Sequence, residues 1–292
     1  MQWVVIAVLL VILVVLIRLR TYEPFVMNEI PKIIWTFWDT DELPEIVQKS
    51  IENWKKHCPG FEVVVVNMSN VSQFLPEIDI ESFRNGEFIQ RKSDMVRLAL
   101  IAKYGGIWSD ASIATKKSYD WIIEEQKKKR FEFMGYYRAA ATEDQRFPVV
   151  ENWFFAAVPN SYFVSKWRDE FQRLNDFKTS QDYVADLENR GVDIQGIPDP
   201  NYLTPYASAQ LVMQKDIEAA YVKDKLYLLP ADDGPFRHAT RNGWDPKKAM
   251  EWICQNDEEL PDMIKIYGLE RRAVEAEPAL KCMRSEEHTS EL

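Results

Sequence analysis

The sequence is short of cysteine, histidine and positive charge, and each shortage closes off a class of protein. Three cysteines (Cys58, Cys254 and Cys282) in 292 residues are too few for a disulfide framework, although a single Cys58–Cys254 bridge is left open. No Cys-x-x-Cys pair occurs, and the three histidines, His57, His238 and His288, lack the spacing of zinc ligands. The formal net charge is −10 at pH 7, so no overall basic footprint exists to displace counterions from a phosphate backbone, and nucleic acid is excluded as a default partner. The local exception, Lys127-Lys128-Lys129-Arg130, reads as a solvated helix end. Internal repeats and low-complexity tracts are also missing, and no two carboxylates stand out as the acid and base of a hydrolase.

What is present suits a large α/β domain. Apolar residues make up 46% of the chain, with 10 Trp, 12 Tyr and 15 Phe, enough for a substantial core and for aromatic faces that stack on sugars or bases. The one long apolar run, 4–17, reaches about seventeen residues with its flank, the short limit for a spanning helix. Arg18 and Arg20 follow it where a signal peptide would need a small-residue cleavage site. The expectation is an uncleaved single-pass anchor at 1–20, a linker at 21–29 and one domain at 30–283. The same two arginines place that domain on the cytoplasmic face. The sequons at Asn67 and Asn70 would matter only in a lumen, which leaves a Golgi-lumen-type orientation as the alternative. Residues 284–292 read as the translation of a sequencing-adapter oligonucleotide and are set aside, His288 with them.

Within the domain, β-branched and aromatic residues predict a strand over 30–39, and Pro44 opens a helix that ends at Cys58-Pro59-Gly60. The run 61–67 predicts a buried strand, completing a βαβ unit and hence a parallel sheet covered on both faces. Further strands are expected at 131–137, 153–158 and 226–229, and helices at 163–174, 182–188, 207–221 and 246–256. In an open sheet of this kind ligands lie beyond the carboxyl ends of the strands, where Asp39, Asn67 and Asp110 fall.

The stretch 91–112 carries most of the chemistry. Ser93 can cap a helix and Gly105 can end it in the left-handed conformation. Met95, Leu98, Ala99 and Ala102 mark its core face, while Asp94 and Arg97 sit three apart on another. That pair reads either as a surface ion pair worth a few tenths of a kcal/mol or as part of a site.

Three pieces, Ile-Pro-Lys-Ile-Ile-Trp at 30–35, Ser-Asp-x-x-Arg at 93–97 and Tyr-Gly-Gly-Ile-Trp-Ser-Asp at 104–110, in this order and spacing, resemble the membrane-anchored sugar transferases of the capsular-polysaccharide-synthesis type, within the glycosyltransferase family 32-like group. The resemblance spans 30–241. It implies a GT-A fold, a Rossmann-like domain binding a nucleotide-sugar with a divalent cation, Mn²⁺ or Mg²⁺. It also implies a metal-dependent, retaining transferase acting on a glycan, glycolipid or polysaccharide. By the same resemblance Trp35 would meet the nucleotide base, Asp94, Arg97, Gly105, Gly106 and Ser112 the donor, and Asp110 the metal. A cation bridging diphosphate oxygens wants carboxylate ligands, but Asp110-Ala-Ser112 stands where Asp-x-Asp is usual, so Ser112 would contribute only a hydroxyl. Asn152 lies in a segment resembling the one that closes over donor and acceptor, and a plain turn before a core strand is the alternative. From the loop 232–238, His238 is the expected third metal ligand, with Asp233 as rival and as a catalytic candidate. The competing functional readings are an anchored sugar-binding module that has lost catalysis, and a metal-dependent phosphohydrolase.

Overall fold

The computed structural model describes residues 28–83 and 89–276. The expected anchor, most of the linker and the tail 284–292 lie outside the described residues. Among those described, no helix is long and apolar enough to cross a membrane.

A six-stranded sheet forms the centre, in the order β2-β1-β3-β6-β5-β7. Its strands are β1 (Ile33–Phe37), β2 (Glu62–Val66), β3 (Gly106–Ser109), β5 (Phe133–Tyr137), β6 (Val150–Ala157) and β7 (Leu226–Pro230). A second sheet pairs β4 (Ile113–Thr115) with β8 (Met263–Lys265). β1 runs parallel to β2 and β3, and β5 parallel to β7, but β6 is antiparallel to both neighbours. The wholly parallel sheet expected from the βαβ unit is therefore corrected to a mixed one. The connection 138–149 holds only a short 3₁₀ turn, Ala139–Ala141, and without a helix to cross over, β6 returns alongside β5 in the opposite sense.

Side-chain alternation sends the sheet into two cores. Trp35, Phe37, Trp108 and Phe155 join one, with the helices Ile89–Tyr104 and Tyr162–Gln172; Ile34, Ile107, Phe154 and Ala156 join the other, with Glu45–His57 and Asp120–Lys129. β2 is an edge strand with only Val66 buried, so the expectation of a fully buried 61–67 strand is also corrected. The expected 207–221 helix begins earlier, at Thr204 with Pro205 in its first turn, and gives way to a π-helical turn at Val212–Asp216. Cys58 is buried and free, which rules out its bridge to Cys254. Lys127, Lys128 and Lys129 form the exposed last turn of their helix, paired with Glu29 and Glu125.

Candidate active site at the carboxyl end of the third strand

The helix Ile89–Tyr104 starts four residues before Ser93, which removes Ser93 from the capping position. The Ser93 hydroxyl instead accepts from Arg97 Nη2 at 3.2 Å. From Arg91 to Ala102 nearly every residue is buried, Asp94 and Arg97 included at 7% and 6% exposure. The surface ion-pair reading of Asp94 and Arg97 fails on that number, because a buried charge persists only with partners.

Those partners define the site. Arg97 Nη1 donates to the Asn152 carbonyl at 2.6 Å, and Nη2 lies 3.3 Å from Asp94 Oδ1 and 3.5 Å from Asp110 Oδ1. Its guanidinium lies over the Trp108 ring, 5.0 Å from the centroid. The Asn152 side chain donates to Asp94 Oδ1 at 2.9 Å, tying β6 to the helix a second time. Burial pushes the Asp94 carboxyl up to about 6, against the pull of Arg97 and Arg91.

Asp110 follows β3, and its backbone N–H donates to the Trp153 carbonyl at 2.9 Å. Its Oδ1 accepts from Trp108 Nε1 at 2.9 Å and its Oδ2 from Lys265 Nζ at 2.7 Å. Lys265 Nζ also donates to the Ser112 hydroxyl at 2.9 Å. Burial opposes ionisation of Asp110, but Lys265 and Arg97 outweigh it and hold the carboxyl below its ordinary range. Burial likewise draws the Lys265 ammonium down, against Asp110.

Two cavities meet here. The larger, about 590 Å³, is lined by Asp94, Arg97, Asp110, Glu151, Asn152 and Lys265 among others, with six cationic side chains against three carboxylates. The smaller, about 200 Å³, reaches Phe37, Trp38 and Asp39 beyond the end of β1, and shares Gln90, Arg97, Asp110, Lys265 and Arg271 with the first. Asn67, at the end of β2, turns away to donate to Asp41 at 2.7 Å.

Five of the residues singled out from sequence serve the fold or the surface instead. Trp35 is 4% exposed within the core, stacked on Tyr104 and donating to the Gly105 carbonyl at 3.0 Å, so its indole holds the turn together and presents no face to a base. Asp233 stands exposed on a turn whose carbonyl accepts from Arg237 Nε at 3.0 Å. His238 has no exposed surface, and its Nε2 lies 3.0 Å from Glu270 Oε1, equally buried. It therefore faces the Gly268–Ala276 helix, and it lines neither of the two cavities. Gly105 is required by packing: its φ is +65°, and a Cβ there would stand 2.6 Å from the Pro159 nitrogen. Gly106, at φ +95°, backs the same way onto Ile33, whose carbonyl oxygen a Cβ there would meet at 2.8 Å.

The divalent cation implied by the resemblance meets a donor set that is already engaged. Such an ion takes about six oxygen ligands, at nucleotide sites one or two protein carboxylates with water and phosphate oxygens making up the rest. Here one carboxylate and one hydroxyl converge, and both already bond to the Lys265 ammonium. Among the described residues no group of three or more His, Cys, Asp or Glu is placed to hold a metal.

Lys265 lies in the site without having been singled out from sequence, and Glu151 was noted there only as the first residue of the segment 151–153 that holds Asn152. Glu151 lines the larger cavity, accepts from Trp153 Nε1 at 2.7 Å and from the Tyr206 hydroxyl, and its Oε1 has no hydrogen-bond partner among the described residues. Burial pushes its carboxyl up to about 7, against Tyr206 and Arg138. The available signal for Lys265 was a lone lysine inside the apolar run 263–266, all four residues of which are buried.

The family model described as capsular polysaccharide synthesis protein matches residues 16–186, more than half of the chain. The glycosyltransferase afumC of Aspergillus fumigatus is 28% identical over 183 residues, covering 57% of this chain and 46% of its own length. The O-glycosyltransferase braB of Annulohypoxylon truncatum is 28% identical over 179 residues, covering 56% and 41%. The chain thus spans less than half the length of these curated relatives. Among solved structures, the galactosyltransferase LgtC in complex with donor and acceptor sugar analogues is 11% identical, with 89% of this chain and 100% of that chain covered and a TM-score of 0.43.

Proposed function

From the premise that this chain belongs to the capsular polysaccharide synthesis family, we propose that it is a glycosyltransferase moving a sugar from a nucleotide-sugar donor to a glycan, glycolipid or polysaccharide acceptor. The observation that carries the reading is the wall shared by the two cavities, where Arg97 and Lys265 flank Asp110 and Arg271 lines the same wall. A donor seated in the smaller cavity, beyond the end of β1, would bring its diphosphate to these cations and its sugar to the larger cavity. The bond that breaks joins the anomeric carbon to a diphosphate oxygen, and the charge left on the diphosphate is what fixed cations stabilise. Glu151, titrating near neutrality in the larger cavity, suits hydrogen bonding to, or proton uptake from, an acceptor hydroxyl.

The parallel β2-β1-β3 half of the sheet, with the site beyond its carboxyl ends, supports a GT-A reading of the fold. Retention of anomeric configuration belongs to the same reading through the family resemblance. Anchoring of the domain on the cytoplasmic side rests on the apolar run 4–17 with Arg18 and Arg20. The engaged donor set around Asp110 supports a reading in which the chain's own cations, Lys265 and Arg97, meet the diphosphate.

A screen of nucleotide-sugars with the full chain tests the proposal. The expected result is release of nucleoside diphosphate from one donor, with a glycoside formed when acceptor is supplied. Release of inorganic phosphate alone would favour a phosphohydrolase. Binding of a nucleotide-sugar with no turnover would favour a sugar-binding module, a reading that the single carboxylate in Asp110-Ala-Ser112 keeps in view.

A further inference from the structure

The oxygens that would hold a metal, Asp110 Oδ2 and Ser112 Oγ, converge on one nitrogen, Lys265 Nζ, at 2.7 Å and 2.9 Å. The backbone fixes that nitrogen's position. Lys265 is opposite Ile113 in the β4–β8 pair, its N–H donates to the Pro235 carbonyl at 3.0 Å, and the following N–H, of Ile266, donates to the Ser112 carbonyl at 3.0 Å. The lysine is therefore delivered by a strand pair whose first partner begins three residues after Asp110, and it is not a loose surface chain that happens to reach in.

An ammonium carries three N–H donors. Two are used by Asp110 and Ser112; among the described residues the third has no hydrogen-bond partner, while the side chain lines both cavities. That third donor is left for water or for a ligand oxygen entering either cavity. Seating a divalent cation on Asp110 and Ser112 would require Lys265 to leave both oxygens and remain, buried and positive, beside a second positive charge. Arg97, 3.5 Å from the other Asp110 oxygen, would oppose the ion from that side as well. With one carboxylate offered to it, the cation would draw most of its ligands from water and the diphosphate, while repelled by Lys265 and Arg97.

We propose that Lys265 supplies the fixed positive charge that meets the donor's diphosphate, so that this chain binds nucleoside diphosphates without a divalent cation. Asp110 and Ser112 then act as positioning residues that aim the ammonium, and Arg97 and Arg271 complete the cationic surround. This inference rests on the glycosyltransferase reading, since it presumes a diphosphate ligand in the shared wall.

Isothermal titration of the full chain with UDP, GDP, ADP and dTDP, in excess EDTA and again in millimolar MnCl₂, tests it. The expected result is binding of at least one of these in EDTA, with an affinity changed less than about threefold by Mn²⁺. Lys265→Met should weaken that binding by about 10- to 100-fold, the loss of one charge-assisted contact, and Lys265→Arg should retain most of it. Because Lys265→Met leaves Asp110 short of a partner, the Asp110→Asn/Lys265→Met double variant removes the pair together and should show the same loss with the fold intact by circular dichroism. Binding that needs Mn²⁺ in the wild type, or that survives unchanged in Lys265→Met, overturns the inference and leaves the transferase reading standing. Failure of all four nucleotides under both conditions overturns both.

Discussion

Lys265 Nζ lies 2.7 Å from Asp110 Oδ2, across 155 residues of sequence, so the strand that completes the small second sheet also completes the charged wall of the site. The contact sits among Arg97, Trp108 and Ser112, and the charge balance of these groups governs what happens when any one is changed.

Arg97→Lys should destabilise the protein by about 2–4 kcal/mol. Arg97 bonds to the Asn152 carbonyl and to Ser93 while facing Asp94 and Asp110, and a lysine's single ammonium cannot span those directions. The cost is that of leaving Asp94 buried and short of its partner. Urea unfolding checks this, with a lower midpoint and an unchanged slope expected.

Glu151 makes stability depend on pH in a sense opposite to that of a salt-bridged carboxylate. Its carboxyl rises from an ordinary 4.5 to about 7 on folding, so between those values the folded state holds more proton than the unfolded one. Its contribution is present below about pH 4.5 and is lost as pH climbs to about 7. Relative to wild type, Glu151→Gln should therefore gain stability across that window, by on the order of 3 kcal/mol at its upper end. Thermal melts of both proteins from pH 4.5 to 7.5 would show the gap between them changing in that direction.

Gly105→Ala and Gly243→Ala make a matched pair. Both glycines have positive φ, +65° and +61°, yet a Cβ at Gly105 would stand 2.6 Å from the Pro159 nitrogen whereas one at Gly243 meets nothing within 4 Å. Gly243→Ala should cost about 1 kcal/mol of backbone strain, and Gly105→Ala several times that. Equal losses of melting temperature would contradict a packing role for Gly105.

The parts of the site carried by short motifs were legible in the sequence. Asp94, Arg97 and Asp110 lie on one helix and the strand it feeds, so local spacing was enough to group them. Asn152 comes from β6, yet the segment around it drew notice, and the structure joins it to Asp94 at 2.9 Å. The fate of Trp35 was not legible, because an aromatic within a strand looks the same whether it faces a cleft or, as here, a neighbouring helix. β1 has strands on both sides, which buries Trp35 against Tyr104 and Phe74. His238 misled for a related reason: a lone late histidine suggests a ligand, while its partner Glu270 lies on a helix that no short-range pattern connects to it. Lys265 escaped notice because only the β4–β8 register brings it to Ser112, and a three-residue strand pair leaves almost no trace in hydrophobic periodicity.

The central claim is that the Asp110 wall is where a nucleotide-sugar reacts, and Asp110→Ala tests it most directly. Donor turnover should be measured for wild type and variant with whichever nucleotide-sugar the wild type consumes, alongside circular dichroism to confirm folding. The account predicts a fall of at least about 100-fold in kcat/KM with the fold retained, the range seen when one preorganised electrostatic group is lost from an active site. Turnover unchanged in a folded Asp110→Ala protein would contradict it.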